Sequence, residues 1–418
     1  MRTELQSVKV SDLQAEKRWA LNGGPFGSKL SSKHYADHGV PVIRGKNLSG
    51  PTKFSFEEFV YVTEKKADEL RANNAHPGDL VFTQRGTLGQ VGLIPADSPI
   101  KRFVISQSQM KLTVDESKAD PLFLYYYFTS EETVQDMHNM AFSSGVPHIN
   151  LGLLRDYKVN LPDLPTQRKI AGILSAYDDL MENNLRRIKI LEQMAQSLYR
   201  EWFVHFRFPG HESVKFKDSE LGRIPEGWVW RKVGNAFEIQ GGGTPSTTNE
   251  EYWVDGDIQW YSPRDLTAEG TMFIEKSAAR INELGLRKSA AKMFPAYSVM
   301  LTSRATIGAI AINTVPSCTN QGFITCLPNS EVPIYFLYQW LKANVETFIL
   351  HASGATFKEI SRGVFKGLDF LQPQAELVQR YQQVVSPIAD QLLNLQRRNQ
   401  TLRRTRDLLL PKLLSPSN

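Results

Sequence analysis

Ten positions between Ile170 and Trp202 fall in steps of four and three that alternate over nine steps: Ile170, Leu174, Tyr177, Met181, Asn184, Ile188, Leu191, Ala195, Leu198 and Trp202. An α-helix turns once in about 3.6 residues, so a sustained 4-3 alternation lines these side chains along one stripe and predicts a coiled-coil seam. The spacing returns at Tyr381, Val385, Ile388, Leu392, Leu395, Asn399, Leu402, Arg406, Leu409 and Leu413, each 211 residues after its counterpart. Either stripe alone could be the buried face of an ordinary domain helix. Two stripes in phase at one offset predict a duplicated unit of globular part plus helix.

Each seam contains one asparagine, Asn184 or Asn399. A polar residue at a core position selects register and partner number at some cost in stability; the alternative is that each faces solvent where the seam widens. Arg406 would either weaken pairing or meet an acid. Pro387 lacks an N–H and is expected to bend the second helix near its start, leaving the pairing continuous only beyond it.

The segments before the two helices also repeat. Gly24 corresponds to Gly242, and Asn47-Leu48 to Asp265-Leu266, at an offset of 218; Thr83 in TQRGTLG corresponds to Thr302 in TSRATIG at 219. Gln107 pairs with Gln321, Pro121 with Pro333, and Ser144-Gly145 with Ser353-Gly354. Short apolar runs bounded by Gly, Pro and Ser predict strands joined by turns, and PLFLYYYF from Pro121 has the length and composition of a core helix. The predicted organisation is a globular domain over 1–165, a helix over 166–207, a linker over 208–217, a second domain over 218–373 and a helix over 374–415.

The 418 residues are 41% hydrophobic and 22% charged, ordinary values for a chain that folds without staples. Two cysteines, Cys318 and Cys326, support neither a disulfide framework nor a cysteine-rich zinc site and fit a reducing cytoplasm. No signal peptide or membrane span is visible. The net charge of +5 permits a nucleic-acid partner without requiring one.

Catalytic patterns are missing. Gly39 to Lys46 is the nearest approach to a phosphate loop, with five residues between its glycines and Asn47 where a magnesium-binding hydroxyl is needed. The amino-methyltransferase signature of Asn or Asp, two prolines and an aromatic is absent, and so is the paired-carboxylate pattern of metal nucleases. His34 and His38 share a helical spacing but have no carboxylate beside them. The chain reads as a non-enzyme with no metal site.

What remains are candidates for recognition. In each copy an arginine stands between small polar residues: Gln84-Arg85-Gly86-Thr87 and Ser303-Arg304-Ala305-Thr306. Arginine bonds guanine bidentately, glutamine bonds adenine, and hydroxyls reach phosphates or base edges. Arg44, Lys46 and Asn47 form a second cluster with Ser262 and Arg264 as its counterpart. Ser144 and His148, with Ser353, Thr356 and Lys358, form a third. Each could equally be a structural turn with a solvated cation.

SLYREWFVHFRFPG from Ser197, followed by SELGRIPEGWVWRKVGNAFEIQGGGTP from Ser219, resembles the junction in type I restriction-modification specificity subunits where the central helix gives way to the second target recognition domain. GGPFGSKL, LPDLPTQRKIAGIL and LLLPKLLS are similar to that family as well, so the resemblance covers nearly the whole chain. It implies an α+β architecture: two target recognition domains of duplicated mixed α/β fold, separated by two long antiparallel coiled-coil helices in a pseudo-twofold arrangement. It also implies that each domain reads one half of a bipartite, asymmetric site on double-stranded DNA. The helices would set the unspecified spacer and dock two methyltransferase subunits. A helix of about 40 residues is roughly 60 Å long, close to two turns of duplex at about 34 Å each.

The same resemblance implies no cofactor in this chain. S-adenosylmethionine would belong to the methyltransferase subunits, which methylate adenine, and ATP with magnesium to the restriction subunits. Two other classes stay open: a scaffold whose globular parts bind peptides, and a nuclease with an unfamiliar site.

Overall fold

The computed structural model describes residues 5–141, 148–354 and 357–414, apart from the side chain of Glu269. It divides into two compact units, Met1–Leu185 with Arg398–Asn418, and Arg186–Arg397. Each unit therefore holds one globular domain and half of each long helix.

In the first unit the strand Gln6–Lys9 runs antiparallel to Lys158–Leu161 at the entry to the central helix, Gln6 opposite Leu161 and Lys9 opposite Lys158. A four-stranded antiparallel sheet has the order Leu21–Gly23, Gln109–Leu112, Leu80–Thr83, Val91–Leu93. A second sheet has the order Tyr35–Ala36, Val60–Val62, Val40–Ile43, Phe103–Ile105, Asn74–Ala75, and its pair Val40–Ile43 with Phe103–Ile105 is parallel. The strands LVFT and FVI are buried at every residue. Such unbroken apolar runs are what a strand covered on both faces requires. The helix Pro121–Thr129 starts on a proline, with the Asp120 carboxylate accepting from Phe123 N at 2.8 Å. It buries Phe123, Leu124, Tyr126 and Phe128, the last edge-on to Phe82 at 5.0 Å.

The second unit repeats this plan. Val229–Lys232 pairs with Asp369–Gln372 as Gln6–Lys9 does with Lys158–Leu161. Its main sheet has the order Glu238–Gly241, Phe323–Leu327, Val299–Thr302, Ile310–Asn313, with Phe273–Ile274 added parallel at the edge. Ile258–Tyr261 lies parallel to Ser317–Thr319, matching the parallel pair of the first unit. The helix Ile334–Ala343 takes the place of Pro121–Thr129. The repeat reaches single van der Waals contacts: a Cβ on Gly89 would come 2.7 Å from Val134 Cγ1, and one on Gly308 2.4 Å from Val345 Cγ1.

The central helix spans Leu164–Tyr199 and continues as a π-helical turn, Arg200–Val204; the C-terminal helix spans Ala375–Leu414. In the first unit Asn184 Nδ2 donates to Asn399 Oδ1 at 2.8 Å, and Asn399 Nδ2 donates to the Met181 carbonyl at 3.3 Å. Farther back, Arg406 Nη1 donates to Asp178 Oδ1 at 2.6 Å. Position falls along one helix as it rises along the other, so the pair is antiparallel. Ile170, Leu174 and Met181 are buried, while Tyr177, Leu402, Leu409 and Leu413 are half-buried. Both asparagines lie inside the seam, which settles their place against the solvent-facing alternative.

Arg406 meets an acid. The nearly buried Asp178 also accepts from Tyr126 Oη at 2.6 Å, so one carboxylate joins the C-terminal helix to the core helix of the first domain. Burial works against the Arg406 charge, but Asp178 and Asp407 outweigh it and hold its pKa above the ordinary value. Burial first, then the Asp178 charge, push the Tyr126 phenol far above its usual range.

Seam residues of the second unit behave alike. Ile188, Ala195, Trp202, Val385, Leu392 and Leu395 are buried, with Leu191, Leu198 and Ile388 packed against them. Tyr381 Oη donates to the Ala195 carbonyl at 3.2 Å, and its ring meets Trp202 edge-on at 5.8 Å. These contacts precede Pro387, which corrects the expectation that pairing begins only after it. The C-terminal helix is continuous through Pro387 because the proline is exposed. The Gln383 carbonyl that loses its donor lies on the wet face, where water can take its place.

The Asn184–Asn399 bond yields a stability prediction. Asn184→Leu alone leaves the buried Asn399 acceptor unpaired and should cost about 1–3 kcal/mol, whereas Asn184→Leu with Asn399→Leu should recover most of it. Chemical denaturation of the four-member cycle measures the coupling, and additive losses would show that the amides do not act as a pair.

Candidate nucleic-acid interface

The strand Leu80–Thr83 leads into a turn whose backbone is anchored on three sides. Gln84 N donates to Ser108 O at 2.7 Å, Ile149 N donates to Gln84 O at 3.1 Å, and Thr83 N donates to Gln90 O at 2.9 Å. The second unit reproduces all three: Ser303 N to Gly322 O at 2.8 Å, Ile360 N to Ser303 O at 3.0 Å and Thr302 N to Ala309 O at 2.9 Å. Both turns then enter the left-handed region, Gly86 at φ +97° and Ala305 at φ +61°. Alanine there carries roughly 1–2 kcal/mol of strain, which the Ala305 N to Lys358 O bond at 3.0 Å helps to offset.

The consequence is a fixed display. Arg85 and Thr87 in the first unit, and Arg304 and Thr306 in the second, are exposed, with Gln84 half-buried beneath its turn. Ser303 is 2% exposed, so this expected contact residue is corrected to a part of the turn's foundation.

Asn47 is corrected in the same way. It is completely buried: its Oδ1 accepts from Arg44 N at 2.9 Å, and its Nδ2 donates to the carbonyls of Ser55 and Glu57 at 3.2 and 2.9 Å. Its amide is spent on capping the Gly45–Leu48 turn and cannot reach a ligand. Ser262 and Asp265 make the same cap, Ser262 N to Asp265 Oδ2 at 2.7 Å, which explains the sequence match. Arg264 follows, exposed in the first turn of the helix Pro263–Glu269. Arg44 Nη2 donates to Glu58 O at 2.6 Å, and Lys46 pairs with the Glu58 carboxylate. Lys46, by hydrogen bond and charge, holds that carboxyl below its ordinary pKa.

In the third cluster His148 is half-buried, Ser353 and Lys358 are exposed, and Ser144 and Thr356 lie outside the described residues. Ser353 bonds Glu359 through both backbone groups, N to O at 3.0 Å and O to N at 2.8 Å. His34 is occupied locally, its Nδ1 accepting from Ser31 N at 3.1 Å.

These clusters come together. In the second unit a cleft of about 370 Å³ is lined by Pro263, Arg304, Ala305, Asn320, Gln321 and Phe357, one or more from each candidate segment. In the first unit Gln84 Oε1 lies 4.0 Å from the Cβ position of Gly23, and Gln90 Oε1 lies 3.3 Å from that of Gly45. Three residues escaped sequence reading. Phe26 is 80% exposed and Phe357 58%, and Glu359 stands 3.7 Å from Arg304 Nε. Only comparison of the two copies after the turns were aligned could have drawn attention to them. The glycines of the first motif press on the strand end beside the paired glutamines. A Cβ on Gly24 would stand 2.0 Å from Ser106 O and one on Gly242 2.1 Å from Thr319 O.

The geometry defines a class: two like domains, each displaying an exposed arginine turn, with their chain segments joined by paired helices. The family description "Type I restriction modification DNA specificity domain" matches residues 23–193 and 225–404, one match for each copy. The type I restriction enzyme MjaIX specificity subunit of Methanocaldococcus jannaschii is 24% identical over 393 residues, covering 91% of this chain and 87% of that one. The HindI specificity subunit of Haemophilus influenzae is 26% identical over 398 residues, covering 81% and 86%. A crystal structure of the type I restriction-modification system S subunit from M. genitalium shares the fold at a TM-score of 0.57 and 16% identity, covering 99% of this chain and 96% of that one. The chain belongs to the family of type I restriction-modification DNA specificity subunits. Among the described residues no helix is long and apolar enough to cross a membrane.

Gly24→Ala should destabilise the first unit and Gly242→Ala the second, each by roughly 3 kcal/mol, because the atoms in the way are backbone carbonyls. Unfolding followed by hydrogen exchange in each unit reads this out. A loss below about 0.5 kcal/mol would mean the loops are not seated as described.

Proposed function

We propose that this chain is the non-catalytic DNA-reading subunit of a type I restriction-modification complex, and that each domain reads one half of a bipartite, asymmetric site. The observation that carries the reading is the repeated turn: one backbone frame, bond for bond, displays Arg85 in one domain and Arg304 in the other, among different neighbours. A shared frame with divergent side chains is what two different half-sites call for.

The paired helices are the ruler in this reading, setting the unspecified spacer between half-sites. They also dock two methyltransferase subunits. Apolar residues on the outer side of the central helix support docking: Ile173 and Leu180 in the first unit are 38% and 52% exposed, Ile190 and Met194 in the second 55% and 53%. Chemistry lies with the partners. The methyltransferase subunits bind S-adenosylmethionine and methylate adenine, restriction subunits use ATP and magnesium, and this chain holds no cofactor of its own. The setting is the cytoplasm.

Methylation mapping of the host genome with and without this gene tests the function. Loss of adenine methylation at one bipartite motif is expected; unchanged methylation beside an active methyltransferase would reject it. In the same assay Arg85→Ala and Arg304→Ala should each relax one half-site only, by about 1–3 kcal/mol of discrimination for a bidentate base contact. Equal loss on all sequences would make the residue a phosphate contact.

A further inference from the structure

We infer that the second domain reads a G·C pair next to a thymine through Arg304, Glu359 and Phe357, the last two being specificity-determining residues. This rests on the DNA-reading function proposed above.

Arg304 Nε lies 3.7 Å from the Glu359 carboxylate, with the two side chains 48% and 42% exposed. Their backbones form an antiparallel bridge, flanked by Ala305 N to Lys358 O and Ile360 N to Ser303 O, both at 3.0 Å. Both charged groups therefore rise from one braced platform, and neither is buried.

A carboxylate beside an arginine opposes phosphate binding, since it repels the anion that the guanidinium attracts. The edge of a G·C pair in the major groove suits both groups. Guanine offers the N7 and O6 acceptors to arginine, and cytosine offers its N4 donor to a carboxylate. The pair Arg304–Glu359 presents donor and acceptor in the combination that one such edge requires.

Phe357 lines the same cleft and leaves 58% of its surface in water. The thymine methyl is the apolar group on that groove edge, so an apolar ring there gains by covering it. In the first domain the residue before the anchoring Ile149 N to Gln84 O bond is His148, where the second domain has Glu359 before Ile360. The two domains thus differ in charge opposite the arginine, and the G·C reading applies to the second alone.

The test uses this subunit assembled with its methyltransferase subunits and duplexes carrying the mapped site. Replacing one thymine of the second half-site by deoxyuridine should weaken wild-type binding about fourfold, the factor for one buried methyl group. Phe357→Ala should bind thymine DNA more weakly and ignore that replacement. Glu359→Gln should bind unrelated DNA more tightly, with a salt slope steeper by about one, and leave discrimination at the first half-site intact. The inference is overturned if wild type ignores every thymine replacement, if the second half-site lacks a G·C pair beside a thymine, or if Glu359→Gln weakens binding to all DNA alike. A complex with every residue intact that binds no bipartite DNA would instead overturn the proposed function, and this inference with it.

Discussion

An amide buried in an apolar seam must find a partner, and that constraint fixes how the two long helices meet in the first unit. Asn184 and Asn399 satisfy each other at 2.8 Å. A slip of one heptad along the seam would part the two amides, setting Asn184 against Leu392 or Arg406 and Asn399 against Tyr177 or Leu191, at about 1–3 kcal/mol for each buried group left unpaired. Asp178 and Arg406 add a second matched position 2.6 Å apart, and a buried charge without its partner costs more than an amide. Leucine and isoleucine supply the burial, but they tolerate many registers. The polar positions choose among them.

The domains rest on a different division of labour. Their shared features are backbone features: the glycines pressed on a neighbouring carbonyl, the capped turns at Asn47 and Asp265, and the three anchors of each arginine turn. Such positions admit few residues, since a Cβ or a missing acceptor would break them. Outward-facing positions have no such restriction. His148 and Glu359, and Phe26 and Thr244, differ freely above a common frame, which lets one scaffold present two surfaces.

Much of this could be read from the chain. The 4-3 spacing located both helices, and the drifting offsets of the glycine, threonine and glutamine anchors revealed the duplication. The helix at Pro121 was visible because its run is almost wholly apolar. Other features depended on tertiary context. Asn47 looks like a contact residue in sequence, and only the carbonyls of Ser55 and Glu57, brought back by the following loop, show that it is a cap. Pro387 looks like a breaker, and its tolerance follows from which face of the helix is wet. Strands of two to four residues, such as Asn74–Ala75, are too short to show a period. Phe357 and Glu359 gain meaning only beside Arg304, which is far away in sequence.

In the proposed function, helix length and not the domains sets the distance between half-sites. Inserting one heptad into each helix, after Leu185 and after Arg397, preserves both seams and lengthens the pair by about 10.5 Å, at about 1.5 Å per residue. Methylation mapping of cells carrying that variant should show both half-sites unchanged and a spacer longer by about three base pairs. An unchanged spacer, or altered half-site sequences, would contradict the account.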